Sequence, residues 1–205
     1  MSFSHGYLTN SPALNDLCGR HYRYRDLIEC GETWRRYQID NRPDRLETYA
    51  AMRELCLRVL DPIVDRFGPV ELTYAFASAA LEKLVRLKPY PRTTRHLDQH
   101  AGCELNRDGR PYCSRLGLAV DIRVPGAISI EVAQWVIQNT GYDRLYFYGD
   151  DRPFHVSVGP ENSTVVWPPS CRLARATAKI RAGPGPGFLT SDNDPLSEVR
   201  RVQRR

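Results

Sequence analysis

Two short segments constrain this chain more than anything else in it. In residues 117–124, GLAVDIRV, the apolar side chains Leu118, Val120, Ile122 and Val124 alternate with Ala119, Asp121 and Arg123. In residues 153–158, PFHVSV, Phe154, Val156 and Val158 alternate with His155 and Ser157. A two-residue period belongs to a β-strand, whose successive side chains point to opposite faces. Each segment therefore predicts a strand with one face on a core and the other carrying chemistry, a carboxylate in the first and an imidazole in the second. A sheet of that kind needs helices over its apolar face, and the expected class is α+β.

The helices are legible. Asp44 and Glu47 have the spacing of an N-cap and its third-residue partner. After them Met52, Leu55, Cys56, Val59, Leu60, Ile63, Val64 and Phe67 recur at three- and four-residue steps. That pattern predicts an amphipathic helix, broken or kinked at Pro62 and ended by Gly68-Pro69. Val70, Leu72, Tyr74 and Phe76 alternate with polar or small residues as another strand, and a short helix should run from Ser78 to about Leu87. Ser129 is expected to cap a helix through Val132, Trp135 and Val136 that stops at Gly141, before a strand over residues 144–148. Residues 88–112 are polar, contain several Gly and Pro, and carry His96 and His100. A loop of that length is more often functional than idle.

These elements place one domain over residues 44–170. Before it, residues 1–43 carry Tyr7, Tyr22, Tyr24, Trp34 and Tyr37 without a sustained period, as an arm docked on the domain. After it, residues 171–205 hold AGPGPG and a charged end, RRVQRR, a composition expected to stay disordered. The tail has eight Arg and Lys against three acids, so the net charge of +5 lies there, and the other 170 residues balance at 21 against 21. Nucleic acid would be bound only through that tail, because a neutral body offers phosphates no basic stripe. The six cysteines form no CxxC pair and the first residues lack the apolar stretch of a signal peptide, which predicts a cytoplasmic protein. No apolar run approaches the ~20 residues of a membrane span.

Asp121 and His155 share the non-core side of their strands. If those strands are neighbours, an oxygen and a nitrogen ligand of the kind zinc accepts converge over the sheet. His96 and His100 have HxxxH spacing, but Leu97 follows His96, so the HExxH metallopeptidase motif is absent.

The segment Gly117-x-Ala119-x-Asp121-Ile122 resembles the second half of the SxHxxGxAxD motif of the zinc D-Ala-D-Ala carboxypeptidases, whose fold is shared with the Hedgehog N-terminal domain. Residues 154–158 resemble the closing strand of that family, which supplies its last histidine ligand. Residues 56–78 are similar to its helix that ends at Gly and enters a strand. The resemblance spans about residues 45–165 and implies a Hedgehog/DD-peptidase-like antiparallel sheet with flanking helices, a Zn2+ cofactor and hydrolase chemistry.

Three departures from the family pattern imply a remodelled site. Ser114 stands where the first histidine ligand belongs, Ala77 where the substrate-holding arginine belongs, and Arg152 where the catalytic acid belongs. The third ligand is then expected from Cys113 or His100. Asp151 and Glu104 are the candidate catalytic carboxylates, and Arg115 the candidate partner for an anionic substrate group. The resemblance thus implies a metal-dependent hydrolase for a small-molecule or peptide substrate other than the D-Ala-D-Ala terminus. The alternative is an inactive binding module for a peptide, nucleotide or protein partner.

Overall fold

The computed structural model describes residues 9–87 and 98–167. The tail from residue 171, its AGPGPG run, and His96 lie outside the described residues. Five strands form one sheet in the order β1-β2-β4-β3-β5: β1 (Glu71–Tyr74), β2 (Leu118–Arg123), β3 (Arg144–Tyr146), β4 (Phe154–Val158) and β5 (Val165–Trp167). Every pairing is antiparallel except β3 with β5. The class is therefore α+β with a mostly antiparallel sheet and flanking helices.

The two alternating segments become β2 and β4, and they lie side by side with Asp121 directly opposite His155. Leu118, Val120, Ile122, Phe154, Val156 and Val158 enter one core with Met52, Leu55, Val59, Leu60 and Ile63 of the long helical run and with Val132, Ala133 and Val136. The second face of β4 is not open to solvent, since all five of its residues are buried. A loop lies over it, and that loop carries the site.

The run predicted as one helix is three joined pieces: α3 (Leu46–Leu55), a π-helical turn (Cys56–Leu60) and α4 (Asp61–Phe67). Pro62 explains the middle piece. It has no N–H, and in a regular helix its ring would strike the carbonyl four residues back. The wider turn just before it lets the axis continue past the proline instead of breaking. Gly68 then stops the helix at φ 84°.

Local capping differs from what the sequence alone implies. Arg45, not Asp44, is the N-cap of α3, and its side chain makes no cap bond. Glu104, sixty residues away in sequence, ties down the segment that enters the helix. Its carboxylate accepts the Asp44 N–H at 3.1 Å, the Arg45 N–H at 3.3 Å and the Thr48 hydroxyl at 2.6 Å. Burial holds the Glu104 carboxyl above its ordinary pKa, against the pull of Thr48 and the two amides. Likewise Ser129 does not cap its helix, α6 (Ser129–Asn139); its hydroxyl donates to the Arg152 carbonyl, and the N-cap is Ile128. Ser78 does cap α5 (Ala79–Arg86), accepting from the Leu81 N–H at 3.3 Å. We expect Glu104→Ala to cost about 1–3 kcal/mol, by leaving a helix start and a buried hydroxyl unpaired. Asp44→Ala, at an exposed side chain, should stay within about 0.5 kcal/mol. Urea unfolding curves of the two variants check the contrast.

The aperiodic first segment contains two short helices, α1 (Tyr24–Ile28) and α2 (Glu32–Tyr37). Leu27 and Ile28 are buried in the main core. Buried Asp61 receives the N–H groups of Arg20 and His21, and buried Asn41 bonds the carbonyls of Ile28 and Phe76. Strand β5 was unheralded by any alternation, because Val165 and Trp167 are exposed at the sheet edge. Among the described residues no helix is long and apolar enough to cross a membrane.

Candidate functional site

The sheet register builds the site. Tyr74 of β1 pairs with Asp121 of β2, Asp121 with His155 of β4, and His155 with Tyr146 of β3. Directly opposed residues in a sheet share a face. One row of four side chains therefore crosses four strands, with the carboxylate and the imidazole in the middle and a tyrosine at each side.

A loop closes over this row. Asp98 caps a single 3-10 turn (Gln99–Ala101), its Oδ1 accepting the His100 N–H at 3.0 Å. The turn places the His100 ring between Tyr74, at 4.6 Å between ring centres, and His155, at 4.9 Å and nearly perpendicular. Tyr146 stacks on the far side of His155 at 4.9 Å and 20°. Both imidazoles are almost fully enclosed, with His100 4% and His155 2% exposed.

Asp121 ties the rings together. Its Oδ1 lies 3.0 Å from His155 Nδ1 and 3.3 Å from His100 Nε2. The other ring nitrogen of His100, Nδ1, is 2.9 Å from the Ala75 carbonyl oxygen. A carbonyl only accepts, so Nδ1 carries a proton and Nε2 is the nitrogen left for Asp121 or a ligand. Burial opposes the charge on His100, but Asp98, Asp121 and the bond to Asp121 outweigh it and raise its pKa to about 9. For Asp121 burial pushes upward, and the two histidines overcome it and hold the carboxyl well below the usual range.

Asp98, His100 and His155 form a group whose ligand atoms all lie within 4.8 Å of one another. Asp121 stands against both rings of that group, so the site offers two imidazoles and two carboxylates. Nitrogen and oxygen donors of this kind are ones a divalent ion accepts. His100 Nε2 stands 3.3 Å from Asp121 Oδ1, and His155 Nδ1 is at hydrogen-bond distance from the same oxygen, 3.0 Å.

The structure sorts the residues singled out by sequence. Asp121, His155 and His100 come together. Cys113 does not join them; it is buried, with Arg115 as its electrostatic partner. Ser114 is exposed. Glu104 is engaged at the start of α3, and Asp151 sits exposed in the turn before β4. Burial opposes the charge of Arg115, but Cys113, Tyr146 and Asp98 more than offset it and raise its pKa. Its Nε is buried without a hydrogen-bond partner among the described residues. Asp98 went unrecognised in the sequence; the signal that pointed to it is the Asp-x-His spacing at the end of the polar loop.

The spacing that left His100 unplaced has a structural cause. After Gly102 the chain makes an excursion closed by a bridge between Leu105 and Pro111, and returns at Leu116. Gln99 Nε2 donates to the Leu116 carbonyl at 3.0 Å, so the two ends of the excursion touch. Comparison of this chain with family models, with curated proteins and with solved structures finds no match.

Proposed function

We propose that this chain is a metal-dependent hydrolase whose divalent ion, zinc by the chemistry of the donors, is held by His100, Asp121 and His155. The observation that carries the reading is the grouping of Asp98, His100 and His155, whose ligand atoms lie within 4.8 Å of one another, with one oxygen of Asp121 against both rings. When bound, such an ion supplies Lewis acidity and makes water a nucleophile near neutral pH. The rest falls to the chain. The Ala75 carbonyl fixes which nitrogen His100 presents, as a backbone partner commonly does for a ligating histidine. Asp98 uses one oxygen to cap the turn, which leaves Oδ2 as the atom to take a proton from water and return it to a leaving group. Tyr74 and Tyr146 wall the two imidazoles and limit water at the rings.

The resemblance to zinc D-Ala-D-Ala carboxypeptidases supports hydrolase chemistry on a Hedgehog/DD-peptidase-like fold. Ala77 in place of the carboxylate-holding arginine argues for a substrate other than the D-Ala-D-Ala terminus. A second reading, a metal-free binding cleft, draws on the way Asp121 pairs with one nitrogen of each ring without an ion.

Elemental analysis of protein purified without added metal separates the two, together with release of new amino groups from peptide and peptidoglycan substrates. We expect about one equivalent of zinc, as a site of this kind holds one ion. Asp121→Ala and His155→Ala should lose it. Asp98→Asn should keep the metal and lose roughly 100-fold or more in turnover, the contribution of a general base. Folded protein that takes up no divalent metal overturns the proposal.

A further inference from the structure

The turn that carries Asp98 and His100 has to be held against β4, which carries His155. Gln99, between the two, is completely buried and points away from the metal group into a second polar cluster. Its Oε1 accepts the Ser157 hydroxyl at 2.9 Å. Its Nε2 faces the Leu116 carbonyl at 3.0 Å and Asp143 Oδ2 at 3.2 Å, with the Val158 carbonyl at 3.5 Å. Ser157 is two residues beyond His155 on the same strand, so both project from the same face of β4. Asp143 is itself immobilised, its Oδ1 accepting the Ser163 N–H and hydroxyl, each at 2.7 Å.

The packing leaves this cluster no slack. A Cβ on Gly159 would lie 2.9 Å from both Gln99 Nε2 and Asp143 Oδ2. Gln99 is thus a side chain whose bonds join the loop turn, the return of the loop at Leu116, strand β4 and the start of β3. None of those bonds involves a proposed metal ligand.

We propose that Gln99 is a positioning residue: by bridging Ser157 and Asp143 it fixes the Asp98–His100 turn at its distance from His155, and thereby sets the affinity of the site for a divalent metal. The inference rests on the metal-site reading above. Outer partners of this kind, when removed, typically weaken metal binding by about 10–100-fold.

The test uses the full chain and Co2+, followed by calorimetry and by visible absorption of the bound ion. Gln99→Leu should weaken binding by about 10–100-fold and shift the Co2+ bands. Ser157→Ala, which deletes a single bond and leaves Gln99 in place, should weaken it by about 10-fold, at the lower end of that range, and it carries the test if Gln99→Leu fails to fold. Asp61→Ala removes the buried acceptor of the Arg20 and His21 N–H groups without touching Gln99 or its partners. It should lower the melting temperature while leaving affinity and spectrum unchanged, which separates positioning from general loss of stability. Unchanged affinity and bands in folded Ser157→Ala and Gln99→Leu, beside a wild type that binds, would overturn the positioning role alone. A wild type that binds no Co2+ overturns the metal site and this role together.

Discussion

His100→Ala is expected to empty the site, cutting metal affinity by more than the roughly 10–100-fold that loss of an outer partner brings. The reason is geometric. His100 Nε2 is 3.3 Å from Asp121 Oδ1, its other nitrogen is committed to Ala75, and its ring lies edge-on to His155. Of the neighbours in the same turn, Asp98 has one oxygen committed to the His100 N–H and Gln99 points into the Ser157 cluster. Cys113→Ser should leave bound metal at the wild-type level. The Cys113 sulfur is not among the converging atoms, and its electrostatic partner is Arg115. Metal content of the two purified variants, measured side by side, gives the answer. Loss on Cys113→Ser with retention on His100→Ala would reverse the assignment.

The largest effect on stability is expected from Gly117→Ala. Gly117 has φ 78°, in the left-handed region, and an added Cβ would overlap the Val158 carbonyl oxygen and approach the Gly159 Cα to 2.7 Å. The obstacles are backbone atoms of the neighbouring strand, so no side chain can rotate out of the way. Left-handed conformation alone costs an alanine roughly 1–2 kcal/mol. Pushing β2 from β4 disturbs the register that faces Asp121 with His155, and the total belongs in the rare class above about 4 kcal/mol. Thermal unfolding should show either a fall of well over 10 °C or no folded protein. Gly109→Ala is the control. It also has positive φ, but a Cβ there meets nothing within 4 Å, so only the backbone strain should appear.

The difference between these glycines illustrates what the sequence could and could not reveal. Alternation made β2 and β4 readable, and it put Asp121 and His155 on the correct face, because one side of each strand is buried in apolar residues. Their adjacency was not readable: strand order depends on contacts between segments 34 residues apart, which no local period encodes. His100 was visible as a candidate but unplaced, since the excursion from Gly102 to Leu116 separates it from Gly117 by far more than the motif spacing. Glu104 looked like a catalytic acid because a buried carboxylate in a Gly-rich loop is chemically ambiguous until its partners are known. Asp44 looked like a cap for the same reason, local spacing being only a weak guide when a distant side chain takes the role.

The row Tyr74–Asp121–His155–Tyr146 has a kinetic consequence. Its members come from four strands, and the histidine that faces them arrives on a loop from elsewhere in the sequence. No single hairpin or helix holds more than a fragment of the donor set. Contacts this distant along the chain close late, after the entropy of the intervening loops has been lost. An ion has nothing to grip until the sheet is assembled, so it cannot template the search for the fold. An ion bound at the proposed site would act afterwards, stabilising the finished state by mass action and slowing escape from it. Under that reading, metal supply would govern persistence and not the speed of folding.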